Sequence, residues 1–520
     1  MSGPEPPPGT ATAGPDPSVP PRGRAEPPGT ALAGPDPSVP PRGRAELARA
    51  VREVRDGPVG DACASFLLAA ALLAPDDPHA AETAVLAAAD AAWAAGDAAT
   101  CLTVLRDHPP LSGPGTAAAP LLDYRRGVRL VLETRFDRAA APLRRVAHAT
   151  GPHDTPEPLL RSAAAALLLG DLDAARRSGA RALAAARSLD ARHLEPRSLE
   201  YLAYAELRAG RHAQARSHAE DGLRAARAAG QRNSAAQHHA VLALAASIEG
   251  EPEVVDAQVA AALATARRHG LAQVATLAQW AAARAALGRG LPVEAADRLA
   301  PLIGPGPGRG HFAVWMLAVP CFVEAAVLAG RPAEARPAVA EFARWAACGA
   351  DPHAPAQLAR CHALLAPPDQ AHALFTRALD RHDESGGDFE RARTALLFGR
   401  WLRRRRRLRE ARDRLSAALV GFERCGAGVW AEQTRAELRA HGAASRAGGP
   451  SGLARLTPQQ LRIARRVADG ATNREIAQSL AVSTRTVDYH LRNVYAALGV
   501  RSRVELARLV EQGEKTAAHP

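Results

Sequence analysis

The 520-residue sequence predicts an all-α protein in which an array of helical hairpins precedes a small, separate helical domain. Three observations lead to this prediction. Ala, Leu, Arg and Glu recur at helical spacing from about Glu46 to Ala440. Glycines interrupt that stretch at a fixed interval of 40 residues. Near the C-terminus, three helix-capping patterns follow one another between Thr457 and Glu505.

The first segment, residues 1–46, is rich in Pro and Gly. Residues 7–26 recur as residues 27–46, and the two copies differ only where Thr12 is replaced by Leu32. Such a segment holds too few large apolar residues to offset the entropy of ordering it, so a disordered tail is predicted. A docking tail is the alternative. The segment also lacks the apolar stretch of a signal peptide.

The glycines of the array punctuate residues 47–440, and similar phrases such as GRHAQARSHAEDGL follow them. They are Gly170, Gly210, Gly250, Gly290 and Gly330. Weaker copies without the glycine begin at Arg135 and Arg407. A glycine ends a helix well because it tolerates the left-handed backbone just past the helix end. The small alanines that follow allow the next helix to pack closely, so the pattern predicts an α-solenoid of stacked hairpins.

The Gly-x-x-x-x-Ala core of each copy resembles the tetratricopeptide repeat, or TPR. The period is longer than the roughly 34 residues of that repeat, and most of its large aromatic positions are missing, so the array is expected to be TPR-like. An irregular helical domain in an Ala-rich sequence is the alternative, and it too is all-α.

Several classes of protein are disfavoured by motif and composition. A Walker A motif needs a lysine that reaches phosphate, and Lys515 is the only lysine in the chain. Neither H-E-x-x-H nor G-x-S-x-G occurs. The expectation is therefore a protein that is not an enzyme and has no cofactor and no metal.

The compartment is expected to be the cytoplasm, with no membrane partner. The six cysteines are scattered and include no C-x-x-C pair, which favours reduced thiols. The longest apolar run, residues 312–323, contains Pro320 and is too short to span a bilayer.

The chain carries a net charge of +12 and a pI of about 10.3, which favours polyanionic partners. An arginine-rich run at residues 400–415 falls where two helices of a repeat are expected to meet. It is predicted to be a solvated turn, with an auxiliary phosphate-contacting patch as the alternative. Residues 441–453 are small, polar and Gly-rich, and they predict a flexible linker.

Residues 454–515 are predicted to form a compact four-helix domain. Thr457, Thr472 and Ser502 each precede a Gln or Glu by three residues, which is the capping-box pattern at a helix start. Ser483 is a further N-cap, and Gly470 ends the first helix. The two middle helices, joined by the short turn AVS, predict a helix-turn-helix.

The third helix of this domain has two unlike faces. Val487, Leu491 and Val494 form one inward seam. The opposite face carries one Tyr, one Asp and two Arg, which fits a recognition helix in a DNA major groove. A solvated structural helix is the alternative.

The segment LTPQQLRIARRVADGATNREIAQSLAVSTRTVDYHLRNVYAALGVRSRVELARLV resembles the DNA-binding domain of LuxR-type transcriptional regulators. The motifs that carry the likeness are LTP, N-R-E-I-A, S-T-R-T-V-x-x-H and L-G-V-R-S-R. The resemblance implies base-reading positions at Asp488, Tyr489 and Arg492. It implies positions at or near the DNA backbone for Asn473, Ser483, Thr484, Arg485, Thr486, His490 and Asn493.

The resemblance also implies a homodimer on a two-fold DNA site, formed through the fourth helix. The residues expected at that contact are Val504, Ala507, Arg508 and Val510. Two positions depart from the family pattern. Gln460 replaces a usual glutamate, and it still suits a capping box. Asp488 stands where many members carry Lys; because Asp accepts from cytosine N4, the operator cannot be transferred from relatives.

Helical repeats followed by this domain resemble the C-terminal half of large ATP-binding LuxR-type regulators, without their ATPase. The expected function is that of a bacterial-type, sequence-specific transcriptional regulator whose repeats act as a sensor or partner-docking platform. A helical-repeat scaffold with a non-specific DNA-binding or protein-docking helix-turn-helix is the alternative. The expected partners are double-stranded DNA, RNA polymerase, an unknown protein or small-molecule ligand of the repeats, and a second copy of the chain.

Overall fold

The computed structural model is helical wherever it has regular structure, among the residues that it describes. Those residues are 41–108, 119–149, 155–439, 453, 456–480, 482–500 and 502–517. The all-α prediction is confirmed. Residues 1–40 of the expected disordered tail and residues 441–452 of the expected linker lie outside the described residues.

The first half of the repeat array contains eleven described helices. They are α1 (Pro41–Asp56), α2 (Val59–Leu73), α3 (Pro78–Ala94), α4 (Ala98–Asp107), α5 (Ala119–Leu132), α6 (Phe136–Ala147), α7 (Pro156–Leu169), α8 (Leu172–Ser188), α9 (Glu195–Arg208), α10 (His212–Ala228) and α11 (Arg232–Glu249). A short 3-10 turn precedes α9.

Ten further helices complete the described part of the array. They are α12 (Pro252–His269), α13 (Ala272–Gly288), α14 (Pro292–Ile303), α15 (Trp315–Leu328), α16 (Pro332–Ala346), α17 (Ala354–Leu365), α18 (Pro368–Ser385), α19 (Asp388–Arg404), α20 (Leu408–Arg424) and α21 (Gly428–Arg439). The C-terminal domain contains α22 (Pro458–Ala468), α23 (Asn473–Ser479), α24 (Thr484–Leu498) and α25 (Arg503–Ala517).

The array is a stack of helical hairpins. Consecutive helices pack against each other, and from α5 to α17 each odd-numbered helix also contacts the next odd-numbered helix. The odd-numbered helices therefore form one continuous layer and the even-numbered helices cover it. This arrangement is that of a TPR-like α-solenoid, as the sequence predicts.

The repeat glycines have the left-handed backbone that the sequence pattern predicts. Their φ values lie between 72° and 91° at Gly170, Gly210, Gly250, Gly290 and Gly330. In the two copies without a glycine, Thr134 and Arg406 occupy the equivalent turns with φ of 58° and 60°. The helix-ending geometry is thus kept even where the residue is one that disfavours it.

The array begins earlier than the sequence indicates. α1 starts at Pro41, inside the second copy of the duplicated segment, whereas the tail was expected to extend to residue 46. Ala50 is fully buried, and Leu47, Val51 and Val54 pack against the same apolar cluster. Because this face packs on α2, the helix extends into a segment whose composition favours disorder.

Both ends of the array return to its middle. α1 contacts α11, α3 contacts α13, and α21 contacts both α11 and α13. Trp430 of α21 is fully buried, and its Nε1 donates to the carbonyl of Ser247 in α11 at 3.2 Å. At the other end, the imidazole Nε2 of His311 lies 2.6 Å from the carbonyl oxygen of Trp93. The described helices thus form a closed stack.

The C-terminal domain has an apolar core of its own. The seam of Val487, Leu491 and Val494 is buried, as expected. On α22, Ile463 is fully buried and Leu461 is half-buried. The fourth helix, α25, runs from Arg503 to Ala517.

Candidate nucleic-acid interface

Reciprocal capping boxes fix the starts of α22 and α23. The backbone N–H of Gln460 donates to Thr457 Oγ1 at 3.2 Å, and the N–H of Thr457 donates to Gln460 Oε1 at 3.0 Å. Thr472 and Glu475 make the same pair of hydrogen bonds at 3.3 and 2.7 Å. Both capping boxes are confirmed, and Gln460 fills its role without a carboxylate.

The start of α24 is capped by Ser483. Ser483 Oγ accepts from the N–H of Thr486 at 3.1 Å, and the two hydroxyl oxygens lie 2.8 Å apart. Ser483 and Thr484 are exposed. The remaining free N–H groups of this first turn and the helix dipole favour a negative group such as phosphate.

One face of α24 carries exposed side chains along its length. It presents Arg485, Asp488, Tyr489, Arg492 and Ala496, all of them exposed. Tyr489 has 41% of its surface exposed, which is high for a large aromatic side chain. The expected face and the buried seam are therefore on opposite sides of the helix.

Asn473 ties three helices of the domain together. Its Nδ2 donates to Asp488 Oδ1 at 2.5 Å, and its Oδ1 accepts from Arg503 Nη1 at 2.9 Å. Arg503 also donates to the carbonyl of Ala471. Asn473, expected near the DNA backbone, thus orients Asp488 on α24 from its place on α23. No pattern in the sequence marks Arg503 as part of the site. The hydrogen-bonded bridge from Arg503 through Asn473 to Asp488 was therefore not predicted.

His490 and Asn493 lie at the edge of the exposed face and are half-buried. Burial lowers the pKa of His490, so its imidazole is neutral near pH 7. Its Nδ1 is buried and finds no hydrogen-bond partner among the described residues. The ring centroid lies 5.6 Å from that of Tyr489 in an edge-on arrangement. His490 can thus support the Tyr489 ring, but it supplies no charge to a phosphate.

Of the four α25 residues expected at the dimer contact, two are exposed. Val504 is 61% exposed, Arg508 is exposed and Ala507 is half-buried. Val510 is fully buried in the core of its own domain. Its place among the dimer contacts is therefore corrected, because a side chain that fills this core is not free to contact a second copy.

The domain carries a marked positive excess. Residues 454–510 contain ten arginines and four carboxylate side chains. Positive excess of this kind suits the phosphate backbone, which supplies much of the affinity of proteins for DNA.

Tyr489 also contacts the repeat array. The guanidinium carbon of Arg216, in α10, lies 5.2 Å from the centroid of the Tyr489 ring. Arg216 Nε donates to Glu249 at 3.2 Å. Although burial disfavours its charge, Glu249 and Tyr489 raise the pKa of Arg216, so the guanidinium stays charged over the ring.

The arginine-rich run forms the turn between α19 and α20, as predicted. Arg400 and Arg403 pair with Glu437 at 2.8 and 2.6 Å, and Arg407 pairs with Glu410. Three of the nine arginines in this run are thus paired with carboxylates of the array, and the turn itself, residues 405–407, is exposed.

Within the described ranges, no group of three or more His, Cys, Asp or Glu side chains is arranged to hold a metal ion. None of the helices that the structure describes combines the length and apolarity that a bilayer crossing requires.

Residues 454–510 match the family GerE, described as "Bacterial regulatory proteins, luxR family". A 55-residue segment is 49% identical to proteins named as HTH-type transcriptional regulators, Mb0914c of Mycobacterium bovis and Rv0890c of Mycobacterium tuberculosis. That segment covers 11% of this chain and only 6% of each relative. A 79-residue segment is 39% identical to the HTH-type transcriptional regulator GfsR of Streptomyces halstedii, and covers 15% of this chain and 32% of that protein.

Two solved structures share a remote likeness with the chain. One is a Rap protein complexed with competence and sporulation factor, with a TM-score of 0.39 and 11% identity over 77% of this chain and 99% of the other. The second is the Cut9–Hcn1 hetero-tetramer of APC/C, with a TM-score of 0.26 and 13% identity over 91% and 95% of the two chains.

Proposed function

We propose that this chain, whose residues 454–510 form a DNA-binding domain of the luxR type, is a sequence-specific transcriptional regulator. The observation that carries the proposal is the exposed face of α24, where a charged and aromatic surface lies opposite a fully buried seam. A helix with these two faces, preceded by a capped helix and a tight turn, suits insertion into a major groove.

The proposed contacts divide by chemistry. Ser483, Thr484 and Arg485 at the start of α24 meet phosphate oxygens and set the register of the domain on DNA. Asp488, Tyr489 and Arg492 lie further along the same face and meet base edges. The guanidinium of Arg492 matches guanine O6 and N7, and the carboxylate of Asp488 matches the N4 amino group of cytosine.

A homodimer on a two-fold site is part of the proposal. Val504, with 61% of its surface exposed on α25, is accessible to a second copy. Ala507 and Arg508 extend the same helix. Two copies related by a two-fold axis place two recognition helices about one DNA turn, roughly 34 Å, apart.

The repeat array is proposed to act as a sensor or docking platform that limits access to DNA. The contact between Arg216 and Tyr489 supports this, because Tyr489 cannot lie against the array and against a base edge at once. A ligand or partner that displaces α24 from α10 therefore frees the recognition helix. Such a regulator works in the cytoplasm, with promoter DNA and RNA polymerase as partners, and performs no catalysis.

The test is a selection from a random DNA library with the full chain and with the segment 446–520, whose core is its own. The expected result is a roughly two-fold symmetric motif from the segment, and weaker or no enrichment from the full chain. If neither protein enriches a motif while binding shows a steep salt dependence, the protein is a scaffold with a non-specific DNA anchor.

A further inference from the structure

Two adjoining cavities lie within the repeat array, and Tyr204 and Arg208 of α9 line both of them. The larger cavity has a volume of about 130 Å³, and its aromatic lining includes Trp93, Tyr124 and Tyr201. The smaller cavity has a volume of about 80 Å³. The two cavities are therefore neighbours, with Tyr204 and Arg208 on their common boundary.

The smaller cavity is lined by Arg284 of α13, which is only 4% exposed. Its Nε donates to Ser247 Oγ at 2.8 Å, and its Nη2 donates to the carbonyl of Leu244 at 2.6 Å. A guanidinium has five N–H donors, so three remain for another acceptor. Among the residues that the structure describes, no carboxylate forms an ion pair with Arg284.

Other deeply buried arginines of the array differ from Arg284 in this respect, because each is paired with a carboxylate. The pairs are Arg125 with Glu82, Arg360 with Glu390, and Arg393 with Glu324. Arg208, at the boundary of the two cavities, is paired with Asp351 at 3.0 Å. The carboxylates around the smaller cavity, Asp351 and Glu390, are therefore engaged by other arginines, and among the described residues none is in ion-pair contact with Arg284.

Burial lowers the pKa of Arg284 to about 10, so the guanidinium is still charged at neutral pH. Trp280 and Phe389 flank it, with ring centroids 5.0 and 5.9 Å from its central carbon. These rings hold the guanidinium in place but do not neutralise it. A charge buried without a partner is unfavourable, and a bidentate carboxylate is the partner that matches its planar fork.

The larger cavity suits the remainder of such a molecule. An apolar cavity of roughly 150 Å³ accommodates benzene, so a cavity of about 130 Å³ has room for one ring. Its polar lining includes Asp90, Gln237 and Gln273, which favours a ring that carries a hydrogen-bond donor. Asp90 makes no hydrogen bond to another described residue, and its side chain is accessible.

We propose that the two cavities together bind a small organic acid, with its carboxylate on Arg284 and its hydroxylated ring among the tyrosines of the larger cavity. This names the class of ligand for the sensor role proposed above. Binding itself does not depend on DNA recognition, so each proposal can fail without the other.

The test is calorimetric titration of the full chain with 4-hydroxybenzoate, 4-hydroxyphenylacetate and 3-(4-hydroxyphenyl)propionate, each beside its matched amide. At least one acid is expected to bind ten or more times more tightly than its amide. Arg284→Met is expected to weaken the binding of that acid at least tenfold and to leave the affinity for the amide unchanged. Arg289→Met, which removes an exposed arginine just past the end of α13, is the matched control and is expected to change neither.

The unliganded Arg284→Met protein is expected to melt no lower than the parent, since it loses a buried charge that lacks a counter-ion. A lower melting temperature with equal binding of acid and amide would show that Arg284 is only structural. The acid–amide comparison on the parent protein needs no variant, so it decides the matter even if Arg284→Met does not fold. Equal binding of each pair, no binding of any acid, or equally tight binding of inorganic phosphate each overturns the proposal.

Discussion

Arg492 is the residue on which base discrimination is expected to depend most directly. Its side chain is exposed on α24, and a bidentate contact to one guanine is worth about 1–3 kcal/mol. Arg492→Ala should therefore lose that much binding free energy on the selected site and relax the preference at one base pair. Titration of single-base variants of the site checks this.

Arg462→Ala is the matched control, because Arg462 is exposed on α22 and outside the recognition helix. It should weaken binding to all sequences alike and reduce the salt slope by about one if it meets a phosphate. An Arg492→Ala protein that ranks all sites as the parent does would remove Arg492 from base recognition.

The left-handed turns of the array give a second prediction at this scale. Arg406 has φ of 60°, and a non-glycine residue there is disfavoured by roughly 1–2 kcal/mol. Arg406→Gly should therefore raise the free energy of unfolding by up to about 1 kcal/mol. Gly330→Ala is the converse, since φ is 77° and no heavy atom lies within 4 Å of the added methyl group. It should lower stability by a similar amount, as urea unfolding can measure.

The N-caps could be predicted from sequence because they depend on residues three positions apart. The bridge from Arg503 to Asn473 to Asp488 could not, since it joins three helices whose packing no local pattern records. The same limit explains Val510, which shares a helix with exposed residues yet fills the core.

At the scale of a single element, the capping box of α23 holds the first helix of the helix-turn-helix in place. Thr472→Ala removes the acceptor for the N–H of Glu475, and loss of such a cap costs about 1 kcal/mol of stability. Thr472→Ser keeps the hydroxyl and should be close to neutral. Urea unfolding of segment 446–520 compares the three proteins, and equal loss in both variants would contradict the role of the cap.

Helix ends were predictable wherever a glycine or a cap marks them, as in the five repeat glycines and in α22 to α24. The start of α1 was not, because Pro41 lies in a segment whose composition favours disorder and only packing on α2 makes it helical. The long-range contacts of α21 with α11 and α13 likewise have no signature in a pattern that repeats locally.

At the scale of the whole molecule, Arg216 links the array to the recognition helix. Arg216→Ala removes the cation from the face of Tyr489, a contact worth about 0.5–2 kcal/mol. The full-length variant should therefore bind the selected DNA site about two- to thirtyfold more tightly than the parent. Fluorescence anisotropy with a labelled site measures this.

Segment 446–520 lacks the whole repeat array. Its DNA affinity therefore sets the upper limit of the increase expected for Arg216→Ala. Arg224→Ala, on the same helix and exposed, is the control. The outcome against this role is that Arg216→Ala binds DNA as the parent does while the segment binds more tightly than the full chain. In that case a surface other than the Arg216–Tyr489 contact inhibits DNA binding.

The packing of α21 on the central helices α11 and α13 is expected to stabilise the array. Trp430 is fully buried between α21 and α11, and truncating such a side chain costs about 3–5 kcal/mol. Trp430→Ala should therefore lower the stability of the array by that amount, whereas Trp345→Ala, in half-buried surroundings on α16, should lower it by less. Calorimetry of both variants compares them, and similar losses would argue against closure through α21.

In an open stack of hairpins, unfolding starts at the terminal repeats and travels inward like a zipper. Here α1 and α21 are both fastened to the central helices α11 and α13, so neither end is free to fray first. The same central helices carry Arg284, which lines the smaller cavity, and Leu244 and Ser247, which accept its hydrogen bonds. A ligand that stabilises these central helices would therefore stabilise both ends of the array at once, and the array would unfold as one cooperative unit.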